Sequence, residues 1–110
     1  MPVSKEFVES VTAKLSEARP ITYKKMFGGL GFYCDNVFFA IGDDDRLFLK
    51  VDDLTRPMYL DRGMEVWICG GQEMHAYREL PDDVLNEPGT CGEWIDAAVD
   101  AAKRLKSKKK

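Results

Sequence analysis

The stretch ITYKKMFGGLGFYCDNVFFAIGDDDRLFLKV, residues 21–51, decides the fold of this chain. It contains four runs rich in β-branched and aromatic residues, a composition typical of strands. Short breaks separate the runs, and they consist of Gly28-Gly29, Asp35-Asn36 and Asp43-Asp44-Asp45. Because connections this short join antiparallel neighbours, the stretch predicts four successive antiparallel strands.

A helix is predicted on either side of these strands. The apolar residues between 4 and 18 recur at helical spacing, Ser4 stands where an N-cap is expected, and Pro20 follows as a stop. After the fourth strand, Asp52 and Asp53 are positioned to cap a short helix that ends near residue 62.

A further hairpin and a closing helix are predicted in the C-terminal half. Gly70-Gly71 separates two short apolar runs, as in a hairpin. Residues 81–85 can form one helical turn, and Thr90 with Glu93 has the capping-box spacing that begins a final helix ending near residue 105. The predicted order is therefore α-β-β-β-β-α-β-β-α.

This order predicts an α+β domain of two layers, an antiparallel sheet with helices on one face. On a regular strand, Val37, Phe39 and Ile41 point to one side of the sheet and Phe38 and Ala40 to the other. Both faces are thus partly apolar. The face without helices needs a cover, for which the C-terminal helix, a loop and a second copy in a homodimer are the alternatives.

Composition indicates one folded domain with an uneven charge. The chain has 110 residues, 45% of them hydrophobic, and we expect residues 1–105 to form one domain and residues 106–110 a basic, frayed tail. The formal net charge is −3, but six of the sixteen basic residues lie in residues 103–110, so the remainder carries −9. An acidic body disfavours a domain that grips duplex phosphates with its folded surface.

Targeting signals and paired cysteines are not evident. The N-terminus lacks the basic and apolar regions of a signal peptide, and no stretch approaches the roughly 20 apolar residues of a membrane-spanning helix. We therefore expect a cytoplasmic protein with no membrane association. Three widely spaced cysteines fit neither a disulfide framework nor a C-x-x-C site, which predicts buried free thiols at Cys34, Cys69 and Cys91.

The glycine-rich segment MFGGLGFY, residues 26–33, could suggest a phosphate-binding loop. Such loops follow a strand and open a helix whose first amides meet the phosphate. Here the glycines lead into another strand. The segment therefore favours a hairpin turn with positive φ or a close backbone contact, with a ligand or partner that needs bare backbone as the alternative.

Catalytic and metal-binding constellations are disfavoured. His75 is the only histidine, so a cluster of histidine ligands cannot form. The acidic pairs and triplet coincide with turns and helix starts, where aspartate accepts hydrogen bonds from backbone amides. We expect no metal and no cofactor, and an enzyme acting through Cys34 or His75 is the most remote alternative.

Four basic residues outside the tail are the best candidates for a shared patch. Lys24, Lys25, Arg56 and Arg62 lie near aromatic residues in the sequence, Phe27 and Tyr59. Interleaving of this kind can bind nucleic acid or an acidic protein, but solvated surface charge is the more common explanation.

Several motifs together resemble one known family, the TfoX N-terminal-domain family. They are MFGG-x-G-x-Y at residues 26–33, LFLKVD at 47–52, Arg56-Pro57, Met74-x-x-Tyr77, PDDVL at 81–85 and a closing helix that contains Trp94. The resemblance covers about residues 5–105. Asp35-Asn36 stands where the family turn commonly reads Asp-Gly, which affects the turn geometry alone.

The resemblance implies a small α+β domain similar to secretion-chaperone-like folds and no enzymatic activity. Family members are associated with bacterial competence for DNA uptake, where they act as transcriptional coactivators alongside a cyclic-AMP receptor protein. Longer members add a C-terminal helical domain, whereas this chain is expected to be the N-terminal domain by itself.

Two functional hypotheses follow. The first is a non-enzymatic regulatory or adaptor domain that binds a protein, such as a regulator or part of the transcription machinery. Its expected partner surface is the set of motif residues Lys25, Met26, Phe27, Gly28, Gly29, Gly31, Tyr33, Lys50 and Arg56. The second is direct but weak nucleic-acid binding, with expected contacts at Lys24, Lys25, Lys106, Lys108, Lys109 and Lys110.

Overall fold

The computed structural model describes residues 3–26 and 29–108 and has the predicted α+β architecture. Its elements in chain order are α1 (Lys5–Ala18), β1 (Thr22–Met26), β2 (Gly29–Cys34), β3 (Val37–Asp43), β4 (Arg46–Lys50), α2 (Arg56–Leu60), β5 (Val66–Cys69), β6 (Gln72–Glu79), α3 (Asp82–Leu85) and α4 (Pro88–Lys108). The predicted element order is confirmed, with α3 at the expected single helical turn.

The six strands form one antiparallel sheet in the order β1-β2-β3-β4-β6-β5. Two-residue turns join three of the hairpins, at residues 35–36, 44–45 and 70–71, and both residues of each turn have positive φ. Turns with two positive φ values match the right-handed twist of the strands they connect. Aspartate and asparagine tolerate this conformation better than most residues other than glycine, which explains the hairpins at Asp35-Asn36 and Asp44-Asp45.

The main core lies between one face of the sheet and the helices. Helix α4 packs on β3 and β4, and α1 and α3 pack against α4. Leu15 of α1, Phe32 of β2 and Ile95 of α4 are fully buried in this core. The predicted N-cap is confirmed, since the backbone N–H of Phe7 donates to Ser4 Oγ at 3.1 Å.

A β-bulge in β3 corrects the predicted distribution of side chains between the two faces. Phe32 pairs with Ala40 but Tyr33 pairs with Phe38, so Phe39 is an extra residue in the ladder. The bulge places Phe39 and Ala40 together in the helix-side core, while Phe38 and Ile41 contact the cluster on the opposite face. The prediction that Phe39 and Ile41 share a face was wrong, because it assumed strict alternation.

Two predicted helix starts are also corrected. Helix α4 begins at Pro88, where the missing N–H of proline is tolerated, and Glu87 Oε1 accepts from the N–H of Gly89 at 3.2 Å. Thr90 therefore lies inside the helix and forms no capping box. Thr55 directly precedes α2 and makes no side-chain cap, whereas Asp52 Oδ1 accepts from the N–H groups of Leu54 and Thr55 in the turn before the helix.

Helix α4 reaches Lys108, three residues beyond its predicted end. Part of the predicted tail is therefore helical. Lysine is a good helix former, and its charge is favourable near a helix C-terminus.

In the described part of the chain, no helix combines the length and apolar character needed to cross a bilayer.

Candidate functional site

The sheet face opposite the helices, called the helix-free face below, carries its own aromatic cluster. Ile41, Phe48, Trp67 and Tyr77 are all buried there, and Phe38 packs against them. The sequence had indicated that this face is apolar, and the structure shows how its residues are arranged. All of these residues lie on strands.

The sheet itself provides part of the cover for the helix-free face. The indole Nε1 of Trp67 on β5 donates to Asp43 Oδ2 on β3 at 2.9 Å, although β4 and β6 lie between these strands. Neighbouring strands are about 4.8 Å apart, so a flat sheet would hold β5 and β3 about 14 Å from each other. The two side chains bridge most of this distance and a curl of the sheet bridges the rest, so that Trp67 lies over the cluster.

The curl encloses a cleft of about 600 Å³ beside Trp67. Ile41 and Phe48 contribute apolar walls, and Arg46 lies at its side. Arg46 Nη2 donates to Glu79 Oε1 and to Glu65 Oε1, each at 2.6 Å. The pKa of Arg46 is raised mainly by its hydrogen bond with Glu79. The guanidinium in the cleft is thus already neutralised by two carboxylates.

An uninterrupted row of aromatic rings crosses the helix-free face. Ring centroids are 5.3 Å apart for Tyr33 and Phe38, 6.5 Å for Phe38 and Tyr77, 5.4 Å for Tyr77 and Trp67, and 6.2 Å for Trp67 and Phe48. Tyr33 and Phe38 are half-buried, whereas the other three rings are buried. Solvent therefore reaches the row mainly at Tyr33 and Phe38.

Two lysines lie over tyrosine rings of this row. Lys24 Nζ is 5.6 Å from the ring centroid of Tyr33, and Lys50 Nζ is 4.6 Å from that of Tyr77, both within cation–π range. Lys50 Nζ also donates to Tyr77 Oη at 3.0 Å. Within residues 3–26 and 29–108, neither lysine forms a salt bridge with a carboxylate.

Burial changes the proton affinity of the Lys50–Tyr77 pair. It lowers the pKa of Lys50 and raises the pKa of Tyr77 to about 12. Both shifts have the same physical cause, since removal from water disfavours the charged ammonium and the charged phenolate alike. Near neutral pH the Tyr77 phenol is therefore neutral, and its oxygen accepts the hydrogen bond from Lys50 Nζ.

The predicted close backbone contact of the glycine-rich segment is confirmed at Gly29 and Gly31. A Cβ at Gly29 would collide with the carbonyl oxygen of Gly42 on β3, and one at Gly31 would lie 2.5 Å from Met26 Cε and 2.8 Å from Phe38 Cε1. These positions need glycine because neighbouring strands and side chains approach them closely. The glycines thus serve the packing of the sheet.

The structure does not gather the four basic residues into one patch. Lys24 pairs with Gly31 and Lys25 with Leu30, so the two lysines point to opposite faces of the edge strand β1. Arg56 forms an ion pair with Asp53, and Arg62 pairs with Asp83 and lies over the Trp94 ring. Arg56 is the first residue of α2, and Arg62 follows the end of that helix. Helix α2 contacts β6, which lies four strands away from β1 in the sheet.

The remaining predicted site residues lie on other parts of the chain. Lys106 is exposed on α4, and Lys108 is the last residue of that helix. Phe27, Gly28, Lys109 and Lys110 lie outside the described residues. Of the predicted partner surface, Tyr33 and Lys50 are therefore the members that contribute to the aromatic row.

The prediction of three buried thiols was wrong for Cys69. Cys91 is buried and Cys34 half-buried, but Cys69 is exposed at the end of the edge strand β5. Burial raises the pKa of the Cys34 and Cys91 thiols. His75 is exposed, and its Nε2 lies 3.5 Å from Glu73 Oε1. Among the described residues, no group of three His, Cys, Asp or Glu side chains could hold a metal ion.

A buried ion pair between Asp52 and Arg104 was not predicted from the sequence. Arg104 Nε donates to Asp52 Oδ2 at 2.5 Å, and Asp52 Oδ1 also accepts from the N–H groups of Leu54 and Thr55. The Arg104 hydrogen bond is the main cause that lowers the pKa of Asp52 to about 2. A separation of 52 residues leaves no local sequence signal for the pair.

Comparison with known families gives one match. The model described as TfoX N-terminal domain matches residues 13–102, a range that includes all six strands, the C-terminal part of α1 and most of α4. The comparison with curated proteins finds no match.

Proposed function

Because the chain belongs to the TfoX N-terminal domain family, we propose that it is a non-enzymatic, competence-regulator-like domain that binds another protein through its helix-free face. The half-buried rings of Tyr33 and Phe38 carry this proposal. Rings that are apolar yet reachable from solvent are characteristic of protein contact surfaces. The expected partner is a regulator or a component of the transcription machinery.

Two ion pairs of the fold have structural roles, which supports a binding function rather than a catalytic one. Arg104 with Asp52 joins α4 to the end of β4, and Arg19 with Asp96 joins α1 to α4. These groups hold elements together. The proposal includes cytoplasmic localisation, since transcriptional regulators act where transcription takes place.

Capture from a cell lysate tests the proposal. The immobilised full chain should retain a specific protein, and Tyr33→Ala should reduce its recovery at least tenfold. Ala13→Ser is the matched control, since Ala13 is exposed on α1 in the opposite layer. A monomeric domain that captures no protein, while binding a metabolite tightly, would contradict the proposal.

Weak nucleic-acid binding is the second candidate function. Lys106 is exposed in the last turns of α4, where further lysines follow in the sequence. Such binding should weaken steeply with salt and decrease when residues 106–110 are removed. Binding that is unchanged by that truncation would exclude the lysine tail as the contact.

A second copy of the chain, in a homodimer, is the remaining candidate for covering the helix-free face. Light scattering coupled to size-exclusion chromatography measures the mass directly. A dimer that Tyr33→Ala converts to a monomer would assign the face to a second copy, whereas a monomeric wild type leaves it open for another protein.

A further inference from the structure

We propose that the helix-free face recognises a short acidic segment of the partner protein, whose carboxylates bind Lys24 and Lys50 while an apolar side chain between them packs on Tyr33 and Phe38. This inference rests on the proposed function and names the chemistry of the partner. A segment with the pattern acidic-x-apolar-x-acidic fits, since alternate side chains of an extended chain point the same way.

The pairing of the basic residues supports this choice. Every arginine except Arg78 forms a salt bridge with a carboxylate of the chain, and these are Arg19, Arg46, Arg56, Arg62 and Arg104. Lys24 and Lys50 instead lie over tyrosine rings, with no carboxylate salt bridge in the part that the structure describes. The half-buried ammonium of Lys50 gains strongly from an incoming carboxylate, and the exposed Lys24 adds a second positive charge on the same face.

The geometry places the two ammonium groups around an accessible apolar centre. Lys24 lies over Tyr33, whose ring is 5.3 Å from Phe38, and Phe38 in turn is 6.5 Å from the Tyr77 ring that carries Lys50. Tyr33 and Phe38 are the most accessible rings of the row. The surface thus has the order cation, apolar ring pair, cation.

Charge disfavours the other two occupants. In a symmetric dimer the same patch contacts itself, so the interface would bring together two copies of the Lys24 and Lys50 charges. A nucleic acid would extend beyond the two lysines over a body of formal charge −9, which repels a polyanion. A short acidic segment avoids both penalties because it contacts only the two lysines and the rings between them.

Site-specific photocrosslinking tests the inference in the full chain. p-Benzoylphenylalanine replaces Tyr33, and in a control protein it replaces Ala13 on α1. After irradiation in lysate, mass spectrometry identifies the crosslinked peptide. We expect the residue at position 33 to capture a peptide with at least two Asp or Glu residues flanking an apolar residue.

Charge variants in the same background show whether the lysines are responsible. Lys24→Met with Lys50→Met removes both charges, keeps the aliphatic stems on the rings, and should lower the crosslink yield at least tenfold. Lys24→Arg with Lys50→Arg should restore most of it, and Lys5→Met on α1 should leave it unchanged. Thermal unfolding of each variant verifies that the fold is retained.

The outcomes separate the two proposals. A crosslinked peptide without acidic residues, a second copy of the chain, a nucleic acid, or a yield insensitive to the lysine charges would overturn the acidic-segment inference. Protein captured at position 13 but none at position 33 would overturn both proposals, since each places the partner on the helix-free face. No protein captured at either position would overturn both.

Discussion

The indole of Trp67 donates to the carboxylate of Asp43 at 2.9 Å across two intervening strands. This contact joins the edge strand β5 to β3 and closes the curled sheet over Phe48 and Tyr77. On this face Phe48, Trp67 and Tyr77 are buried, and Tyr33 and Phe38 form the accessible end of the row. The proposed binding surface depends on this curl.

Trp67→Phe should destabilise the protein by about 1–2 kcal/mol, because it removes the indole donor and some buried ring area. Chemical unfolding monitored by circular dichroism measures the effect. Trp94→Phe, in the core that contains α4, is the matched aromatic control. Equal stability of wild type and Trp67→Phe would show that the contact does not maintain the curl.

Asp52→Asn should remove an acid-sensitive part of the stability. The folded-state pKa of Asp52 is about 2, below its ordinary value of 3.8, so the contribution is present above pH 4 and is lost as the pH falls through 2. Arg104 is one-third exposed, and with solvent screening we expect about 1–2 kcal/mol at neutral pH.

Unfolding free energies measured from pH 7 to pH 2 test this prediction. The difference between wild type and Asp52→Asn should shrink steadily below pH 4. Asp96→Asn breaks the more exposed pair with Arg19 and should have a smaller effect. A constant difference across the range would rule out the Arg104 pairing as its source.

Gly29→Ala should destabilise the fold by at least about 2 kcal/mol, because the new methyl group would overlap the backbone carbonyl of Gly42. Differential scanning calorimetry measures the loss. Gly89→Ala in the first turn of α4 is the control, since its nearest neighbour is the flexible Glu87 side chain. That change should be neutral or slightly stabilising. Similar losses for both variants would refute the argument.

Thiol labelling should separate the three cysteines. Cys69 is exposed and should react with a disulfide reagent first, whereas Cys91 should react only after unfolding. Cys34 should be intermediate, since burial raises its thiol pKa. Cys69→Ser should abolish the fast phase. A fast phase that persists in this variant would show that another thiol is accessible.

Local chemistry was enough to predict the elements and the fold class. The turn residues of three hairpins, the N-cap Ser4 and the single turn at residues 81–85 each act over a few residues, and all were confirmed. The bulge at Phe39 could not be predicted, since Phe38, Phe39 and Ala40 are all apolar and no pattern marks the change of face. Thr90 and Glu93 had a capping-box pattern, but the helix begins earlier at Pro88.

The candidate site was only partly predictable. Tyr33 and Lys50 were identified from family motifs, and Lys24 from charge, but nothing in the sequence joined them. The assumption that neighbouring lysines act together was wrong for Lys24 and Lys25, because alternation along β1 separates them. Lys50 and Tyr77 come close because β6, rather than β5, pairs with β4.

The sequence by itself determined the helices, the hairpins and an acidic body, because hydrophobic period, turn chemistry and charge are local properties. Only the tertiary structure decided which charges are compensated. Asp52 meets Arg104 across 52 residues, while Lys24 and Lys50 lie on tyrosine rings. The physical reason is that the curl and register of the sheet depend on contacts between distant strands. Those contacts place the two lysines on the accessible face.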